Sequence, residues 1–195
     1  MYSLPTLLSV NNHEYPIREK GDFRMVLDCF EVLEDETLTK EERVYAALII
    51  FLEDVNSLED LFKLDDLPSL YKGMVRFFNC GQDDTSGMRS NFKLIDWEQD
   101  APMVCSAVNN VAGTEIRALE YLHWWTFMGY YMAIGRSALS TVVGIRYKMA
   151  THKKLEKYEK QFKSENPQYF NFDVRSVEER ELDRQIRELW EANSK

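Results

Sequence analysis

The segment "DWEQD", residues 96–100, carries three carboxylates within five positions. Carboxylates this close together can bind a divalent cation, since Ca²⁺ and Mg²⁺ prefer oxygen ligands. A calcium-binding EF-hand loop would need about twelve residues with a central glycine and a terminal glutamate, and the sequence around Asp96, Glu98 and Asp100 has neither. Acidic residues also favour the first turn of a helix, because they complement the helix macrodipole by about 0.3–1 kcal/mol. We therefore predict that these residues cap a helix and that the chain has no metal site.

Histidines and cysteines are too dispersed to indicate a zinc site. Zinc ligands usually come in close pairs, whereas the residues of these types are His13, Cys29, Cys80, Cys105, His123 and His152. No serine or cysteine lies in a nucleophile elbow, and no glycine-rich phosphate loop occurs. His123 could act as a lone general base, but its tryptophan-rich surroundings favour a half-buried hydrogen-bond donor. The sequence predicts no enzyme and no cofactor.

Charge is unevenly distributed along a chain whose formal net charge is −9. Residues 1–60 hold 14 acidic and 5 basic side chains, a net of −9, whereas residues 146–163 hold 7 basic and 2 acidic ones, a net of +5. This asymmetry could order copies head to tail or capture an acidic partner through Arg146, Lys153, Lys154 and Lys157. The alternative is a solvated helix face without a partner. The overall negative charge opposes general nucleic-acid binding, which depends on phosphate neutralisation.

Length and hydropathy indicate a globular, mainly α protein. A chain of 195 residues suits one domain with an appended arm, and the longest apolar stretches are about a dozen residues, where a membrane span needs about 20. The N-terminus has no pattern of a secretory signal. We predict a helical domain over residues 1–165, with a β-hairpin at 4–18 turning at Asn11 and Asn12, and a linker with a helical arm over 166–195.

Capping signals divide the rest of the chain into helices. Apolar spacing predicts a helix over 22–35, and Thr39 with Glu42 forms a capping box for a helix that runs to about residue 53. Ser57 opens a short helix, Pro68 fits the first turn of the next, and the stretch 82–91 reads as an exposed loop. Asp96 could cap a helix that Gly113 ends.

Three more helices are expected in the second half of the chain. One continuous helix is predicted from Thr114 to about Ile134, followed by a less regular stretch over 135–149. A polar helix over 151–166 should stop at Asn166 and Pro167. Ser176 and Glu179 form a capping box for the last helix.

The stretch "LEYLHWWTFMGYYMAIG", residues 119–135, is apolar over much of the circumference of a helix. A helix of this kind usually lies at the centre of a fold. Tyrosine and tryptophan keep a polar tip, however, so Trp124, Tyr130 or Tyr131 could reach the surface and anchor a partner. We expect this stretch to lie mainly in the core of the fold and, as a second role, to form part of an interface.

A narrow apolar stripe on the last helix offers a separate interface. The stripe and its neighbours are Val177, Leu182, Ile186, Leu189 and Trp190. An amphipathic terminal helix of this kind docks either on its own domain or on a neighbouring copy, and the sequence leaves both open.

The order of several segments resembles the bacteriophage gene-product-fifteen family, from about Leu4 to Phe172. The segments are "VNNHEYPIR", "DFR", "FFNCG", "DWEQDA", "TEIRALEYLHWWTF", "VVGIRYKM" and "KKLEKYEKQF". The most specific block is residues 122–125, "LHWW".

This resemblance implies a tail assembly chaperone of long-tailed phages of Gram-positive hosts. Such a protein would coat the long, hydrophobic helical tape-measure protein in the host cytoplasm, self-associate along it and help to recruit tail-tube subunits. The resemblance brings no catalytic residues. The alternatives are a structural tail component that stays in the virion and, more remotely, a small nucleic-acid-binding regulator.

Overall fold

The computed structural model describes residues 3–83 and 93–172, which form eight α-helices and a two-stranded antiparallel sheet. The helices are α1 (Phe23–Glu34), α2 (Lys40–Phe51), α3 (Leu58–Leu61), α4 (Leu67–Phe78), α5 (Ala101–Ala112), α6 (Trp124–Met132), α7 (Ala138–Ala150) and α8 (Lys157–Glu165). Short 3-10 helices lie at Arg18–Gly21, Ile116–Ala118 and Pro167–Tyr169. The predicted mainly α class with an N-terminal hairpin is confirmed. The predicted loop over most of 82–91 and the last helix lie outside the described residues.

The N-terminal hairpin forms where the sequence places it. Strand β1 (Leu7–Val10) pairs with β2 (His13–Pro16) in antiparallel register. Asn11 and Asn12 connect the strands with φ angles of 50° and 65°, and two consecutive positive φ angles are typical of a tight hairpin turn. The Asn11 side-chain amide donates to Asp66 at 2.8 Å, so the turn is bonded to the residue that caps α4.

The guanidinium of Arg18 joins the segment after the hairpin to the end of α2. It donates to the backbone carbonyls of residues 49, 50, 52 and 55 over 2.8–3.2 Å. The last carbonyls of a helix have no intrahelical partner and favour a cation. Arg18 therefore supplies the α2 terminus with both hydrogen bonds and positive charge, and the Glu53 N–H donates to Pro16 beside it.

Most of the capping predictions are confirmed. The Thr39–Glu42 box opens α2, Ser57 caps α3, and Pro68 lies in the first turn of α4. Gly113 ends α5 with a φ of 70°, a left-handed conformation that glycine adopts without steric cost.

The second half of the chain departs from the predicted helix boundaries. The stretch expected to be less regular contains the 13-residue helix α7, which begins at Ala138 because Ser137 and Ser140 cap each other's backbone N–H groups. The polar helix begins at Lys157 rather than at Thr151, because Glu156 and Glu159 form its capping box there. It ends at Asn166 as predicted.

A continuous apolar core connects the hairpin with α1 to α7. Its largest fully buried side chains include Trp124, Phe51, Phe127, Leu48, Leu70, Met74 and Ile116. No helix in the described ranges is long and apolar enough to cross a membrane.

Candidate partner-binding surface

The aromatic stretch 119–135 is not one helix, and that prediction is wrong. Residues 116–118 form a 3-10 turn, residues 119–123 are not helical, and α6 begins only at Trp124. The Leu122 N–H donates to the Asp22 carboxylate at 2.8 Å, and the Phe23 N–H donates to the Leu122 carbonyl at 2.9 Å. These groups are bonded to the N-terminus of α1, so they cannot take part in a helical ladder.

Arg24 also binds the non-helical segment at residues 119–123. Its guanidinium pairs with Asp22 at 3.1 Å and donates to the Leu119 carbonyl at 2.6 Å. Helical periodicity cannot reveal these contacts, because they connect residues about a hundred positions apart.

Trp124 is a core residue, and the prediction that it could reach the surface is wrong. Its side chain is 1% exposed and stacks on Phe127 with ring centroids 5.4 Å apart. The Trp124 indole N–H donates to the Phe78 carbonyl, and the Trp125 indole donates to the Phe77 carbonyl, both at 2.9 Å. The tryptophan pair therefore supplies donors to two carbonyls at the end of α4, where backbone partners run out, although the Phe77 carbonyl also accepts from the Cys80 N–H at 3.0 Å.

His123 uses both ring nitrogens within the chain. Nδ1 accepts from the Trp125 N–H at 3.0 Å, so the ring proton lies on Nε2 and donates to the Pro5 carbonyl at 3.0 Å. The expected role as a hydrogen-bond donor is confirmed, although the side chain is fully buried rather than half-buried. Burial lowers the pKa of His123, against a smaller opposing effect of the Pro5 carbonyl. A neutral imidazole whose two nitrogens are both hydrogen-bonded within the chain is poorly placed to act as a general base.

Tyr130 and Tyr131 are half-buried on α6 and pack against the core. The Tyr131 ring lies 5.4 Å from the Trp97 ring, and burial raises the pKa of its hydroxyl. At the end of the helix, Met132 is 71% exposed. The exposed large hydrophobic side chains of this stretch are therefore Met132 at the C-terminal end of α6 and Tyr121, which is 44% exposed and donates to the Lys20 carbonyl.

The acidic motif at 96–100 has structural roles. Asp96 accepts the N–H groups of Glu98 and Gln99 and pairs with Lys93. Burial alone would raise the pKa of Asp96, but the Gln99 N–H and the Lys93 ammonium hold it below its usual value. Asp96 caps the turn that precedes α5 rather than α5 itself, which begins at Ala101.

Asp100 forms a buried ion pair with Arg146. The two guanidinium nitrogens contact both carboxylate oxygens, and both side chains are almost completely buried. Arg146 also donates to the Leu94 and Tyr169 carbonyls at 2.9 and 2.8 Å. The candidate role of Arg146 in capturing a partner is therefore wrong in this conformation, because its donors are used inside the chain. In the described ranges, no group of three or more His, Cys, Asp or Glu residues could hold a metal ion.

The remaining candidate cations lie together at the junction of α7 and α8. We define the α7–α8 surface as Tyr147, Lys153, Lys154, Lys157 and Tyr158, all of which are exposed. The Lys153 ammonium lies 4.8 Å from the centre of the Tyr147 ring. The two helices are joined by an ion pair of 2.6 Å between Lys148 and Glu159, and this hydrogen bond from Lys148 lowers the pKa of Glu159. The surface presents aromatic rings and positive charge together.

A second exposed apolar group, which the sequence did not indicate, lies on α3 and on Phe62, the residue that follows its last turn. Leu58 and Phe62 are 51% and 58% exposed, and the Phe62 ring meets the edge of Tyr45 at 5.3 Å. The candidates on the last helix, Leu182, Ile186, Leu189 and Trp190, lie outside the described residues.

A family model described as "Bacteriophage Gp15 protein" matches residues 2–170. The chain belongs to this family. Comparison with curated proteins and with solved structures gave no match. Membership in the Gp15 family indicates a phage protein with a part in structure or assembly, and the resemblance read from the sequence is confirmed.

The segments that carry the family resemblance are largely structural in this Gp15-family chain. "YPIR" contains the arginine that caps α2, "DFR" contains the Asp22–Arg24 pair, and "LHWW" contains the residues that hold the α1 and α4 termini. The sequence analysis did not single out Arg18 or Arg24. A positive charge a few residues after a hairpin is a weak signal on its own, because its acceptors lie more than 30 residues away.

Proposed function

We propose that this Gp15-family chain is a non-enzymatic tail assembly chaperone. It would self-associate in the host cytoplasm and bind the tape-measure protein, keeping that protein soluble while the tail is built. Tail-tube subunits would be a further partner. The proposal rests on family membership and on the α7–α8 surface.

The α7–α8 surface is the observation that carries the proposal. Tyr158 is 65% exposed and Tyr147 is 42% exposed, and both stand among exposed lysines. Aromatic side chains offer large apolar contact with few rotatable bonds, and lysines add attraction to an acidic segment that weakens with salt. Such contacts suit a chaperone that must bind an amphipathic helix and later release it.

The side chains that could take part in catalysis form bonds within the fold, and this supports a binding role. His123, Asp96 and Asp100 are each engaged by backbone or charged groups of the same chain. Burial also raises the pKa of the Cys29 thiol well above its usual value, which keeps it protonated and a poor nucleophile. These side chains stabilise the fold, and the proposed function needs no bond to be made or broken.

Self-association would use the uneven distribution of charge along the chain. The helices α1 to α3 carry exposed carboxylates such as Glu34, Glu41 and Glu59, opposite in sign to the α7–α8 surface. A contact between two different surfaces of identical chains repeats without closing unless the rotation forms a ring. Copies could therefore line up along an extended partner.

Co-expression with the neighbouring tape-measure gene tests the proposal directly. We expect the soluble yield of the tape-measure protein to rise and the two proteins to purify together. The double variant Lys154→Glu with Lys157→Glu should weaken this association, whereas the charge-matched control Lys40→Glu with Lys72→Glu, at exposed lysines elsewhere, should not. Unchanged yield and no co-purification with the wild-type chain would refute the chaperone role.

Two other outcomes would identify the alternatives. Copies of the chain in purified virions would favour a structural tail component. Retention on RNA or heparin that is lost in the Lys154→Glu, Lys157→Glu variant would favour a nucleic-acid-binding regulator.

A further inference from the structure

The exposed apolar side chains at α3 lie beside exposed carboxylates. Leu58 and Phe62 are 51% and 58% exposed, and the Phe62 ring meets the edge of Tyr45 on α2. Glu41 lies one helical turn before Tyr45, on the same side of α2. Glu59 follows Leu58 along α3, and both carboxylates are exposed. We define the α2–α3 surface as Glu41, Tyr45, Leu58, Glu59 and Phe62.

The α7–α8 surface has a similar build with the opposite charge. Its most exposed ring, Tyr158, is 65% exposed and stands among exposed lysines. Residues 147–165 hold six basic and three acidic side chains, a net of +3, whereas residues 40–66 hold three basic and eight acidic ones, a net of −5. In the part of the chain that the structure describes, the lysines of the α7–α8 surface form no ion pair.

The partner that fits each surface is carried by a second copy of the chain. Both surfaces stay exposed in the single chain, so they do not cover one another. Opposite charges attract across an interface and fix its orientation, and exposed aromatic and leucine side chains supply the apolar contact that an interface buries at its centre. We propose that the α2–α3 surface of one copy binds the α7–α8 surface of another, with Phe62 and Tyr158 at the centre of the contact and lysines facing carboxylates around it.

The contact deepens the proposed function, on which it rests, by assigning the surfaces through which copies meet. Because the two surfaces differ, a pair of copies joined by one contact keeps one free surface of each kind. Further copies then add as an open row or close into a ring. In an open row, the copy at one end keeps its α7–α8 surface free, so the row can bind the tape-measure protein there.

Sedimentation of the isolated chain tests whether copies associate in this way. We expect the average mass to rise with protein concentration at about 50 mM salt and to fall towards that of a monomer at about 0.5 M salt, because salt screens exposed charges. A wild-type chain that stays monomeric at every concentration would overturn the contact. Failure of the chaperone role would show differently, as absent co-purification with the tape-measure protein.

Paired variants with matched controls locate the contact. The serine variant, Leu58→Ser with Phe62→Ser, and the glutamate variant, Lys154→Glu with Lys157→Glu, should each raise the dissociation constant about tenfold or more. All four positions are exposed, so circular dichroism should show an unchanged fold. The controls alter exposed residues elsewhere and should retain wild-type association. They are Leu4→Ser with Met132→Ser, and Lys72→Glu with Arg136→Glu.

Mixing the serine and glutamate variants identifies the surfaces that meet. The serine variant keeps an intact α7–α8 surface and the glutamate variant keeps an intact α2–α3 surface, so one contact remains possible between them and none within either alone. At a concentration where the wild type associates, we expect each variant alone to be a monomer and the equimolar mixture to form a dimer with one chain of each. A mixture that stays monomeric, or controls that lose association to the same extent, would overturn the proposal.

Discussion

The segment His123–Trp125 and the α7–α8 surface are both rich in aromatic residues, but their environments are opposite. In the first, the imidazole and both indoles donate to backbone carbonyls. In the second, Tyr158 and the lysines at 153, 154 and 157 are exposed. The residues that look most like an active site therefore hold the fold together. The plain lysine-and-tyrosine stretch is the surface on which a partner could act.

This contrast predicts opposite consequences of substitution in the two regions. Changes at buried residues that hold the fold together, such as those of His123–Trp125, should alter the free energy of unfolding and affect binding only through loss of the fold. Changes on the α7–α8 surface should alter binding and leave stability nearly unchanged.

The largest effect is expected from breaking the buried Asp100–Arg146 pair. Arg146→Met leaves the Asp100 carboxylate buried without its partner, so we expect a loss of about 3–5 kcal/mol in unfolding free energy. Denaturant titration measures this loss. The exposed Arg136 provides the control, because Arg136→Met should change stability by less than about 0.5 kcal/mol. If Arg146→Met proved as mild as Arg136→Met, the pair would have no structural role.

Gly21→Ala should be the next most damaging change. Gly21 has a φ of 80°, and an added Cβ would lie 2.7 Å from Phe77 and 3.1 Å from the His123 ring. Backbone strain and the clash together should cost about 3 kcal/mol. In contrast, Gly129 lies in α6 with open space around the Cβ position, so Gly129→Ala should stabilise the chain by about 0.5–1 kcal/mol. Thermal unfolding of the two variants should shift in opposite directions.

A smaller effect is expected on how the free energy of unfolding depends on pH. Because burial lowers the pKa of His123 below its unfolded value of 6.5, the unfolded chain binds a proton before the folded chain does. Stability should therefore be complete above pH 6.5 and decline as the pH falls from 6.5 towards the folded pKa. Urea midpoints at pH 7.5, 6.5 and 5.5 measure the slope.

The variant His123→Gln isolates that histidine. It should be less stable at pH 7.5 but should lose less stability than the wild type on acidification to pH 5.5. A slope identical to that of the wild type would assign the dependence to other groups.

The smallest effect on stability is expected on the α7–α8 surface. Tyr158→Ser should change the unfolding free energy by less than about 0.5 kcal/mol, because the side chain is 65% exposed. The same variant should reduce co-purification with the tape-measure protein. A destabilised Tyr158→Ser chain, or one with undiminished binding, would remove the distinction between the two regions.

Local sequence patterns correctly predicted the turns and helix ends that depend on nearby residues. The Asn11–Asn12 turn, the Thr39–Glu42 box and the Gly113 helix end each depend on residues within a few positions of one another. The single helix over 114–134 was wrong for the complementary reason. Asp22 and Arg24 bind its backbone between residues 119 and 122, and no helical period shows a partner so far away in sequence.

The candidate site could be predicted only in part for the same reason. Exposure of Lys153, Lys154 and Lys157 follows from the low hydropathy of their stretch. Arg146 belongs to the same basic run, yet its guanidinium is buried against Asp100. Charge alone did not distinguish it from its neighbours, because the distinction depends on a partner 46 residues away.

The bond between Pro5 and His123 has a consequence for how the chain is made. Its two residues are separated by 118 positions, and a ribosome adds about 5–20 residues per second. The N-terminal segment must therefore wait about 6–24 s for His123 to be synthesised. During that interval the apolar faces of α1 and α4 lack the tryptophans that later contact them, so a nascent chain exposes these faces until residues 123–125 have been made.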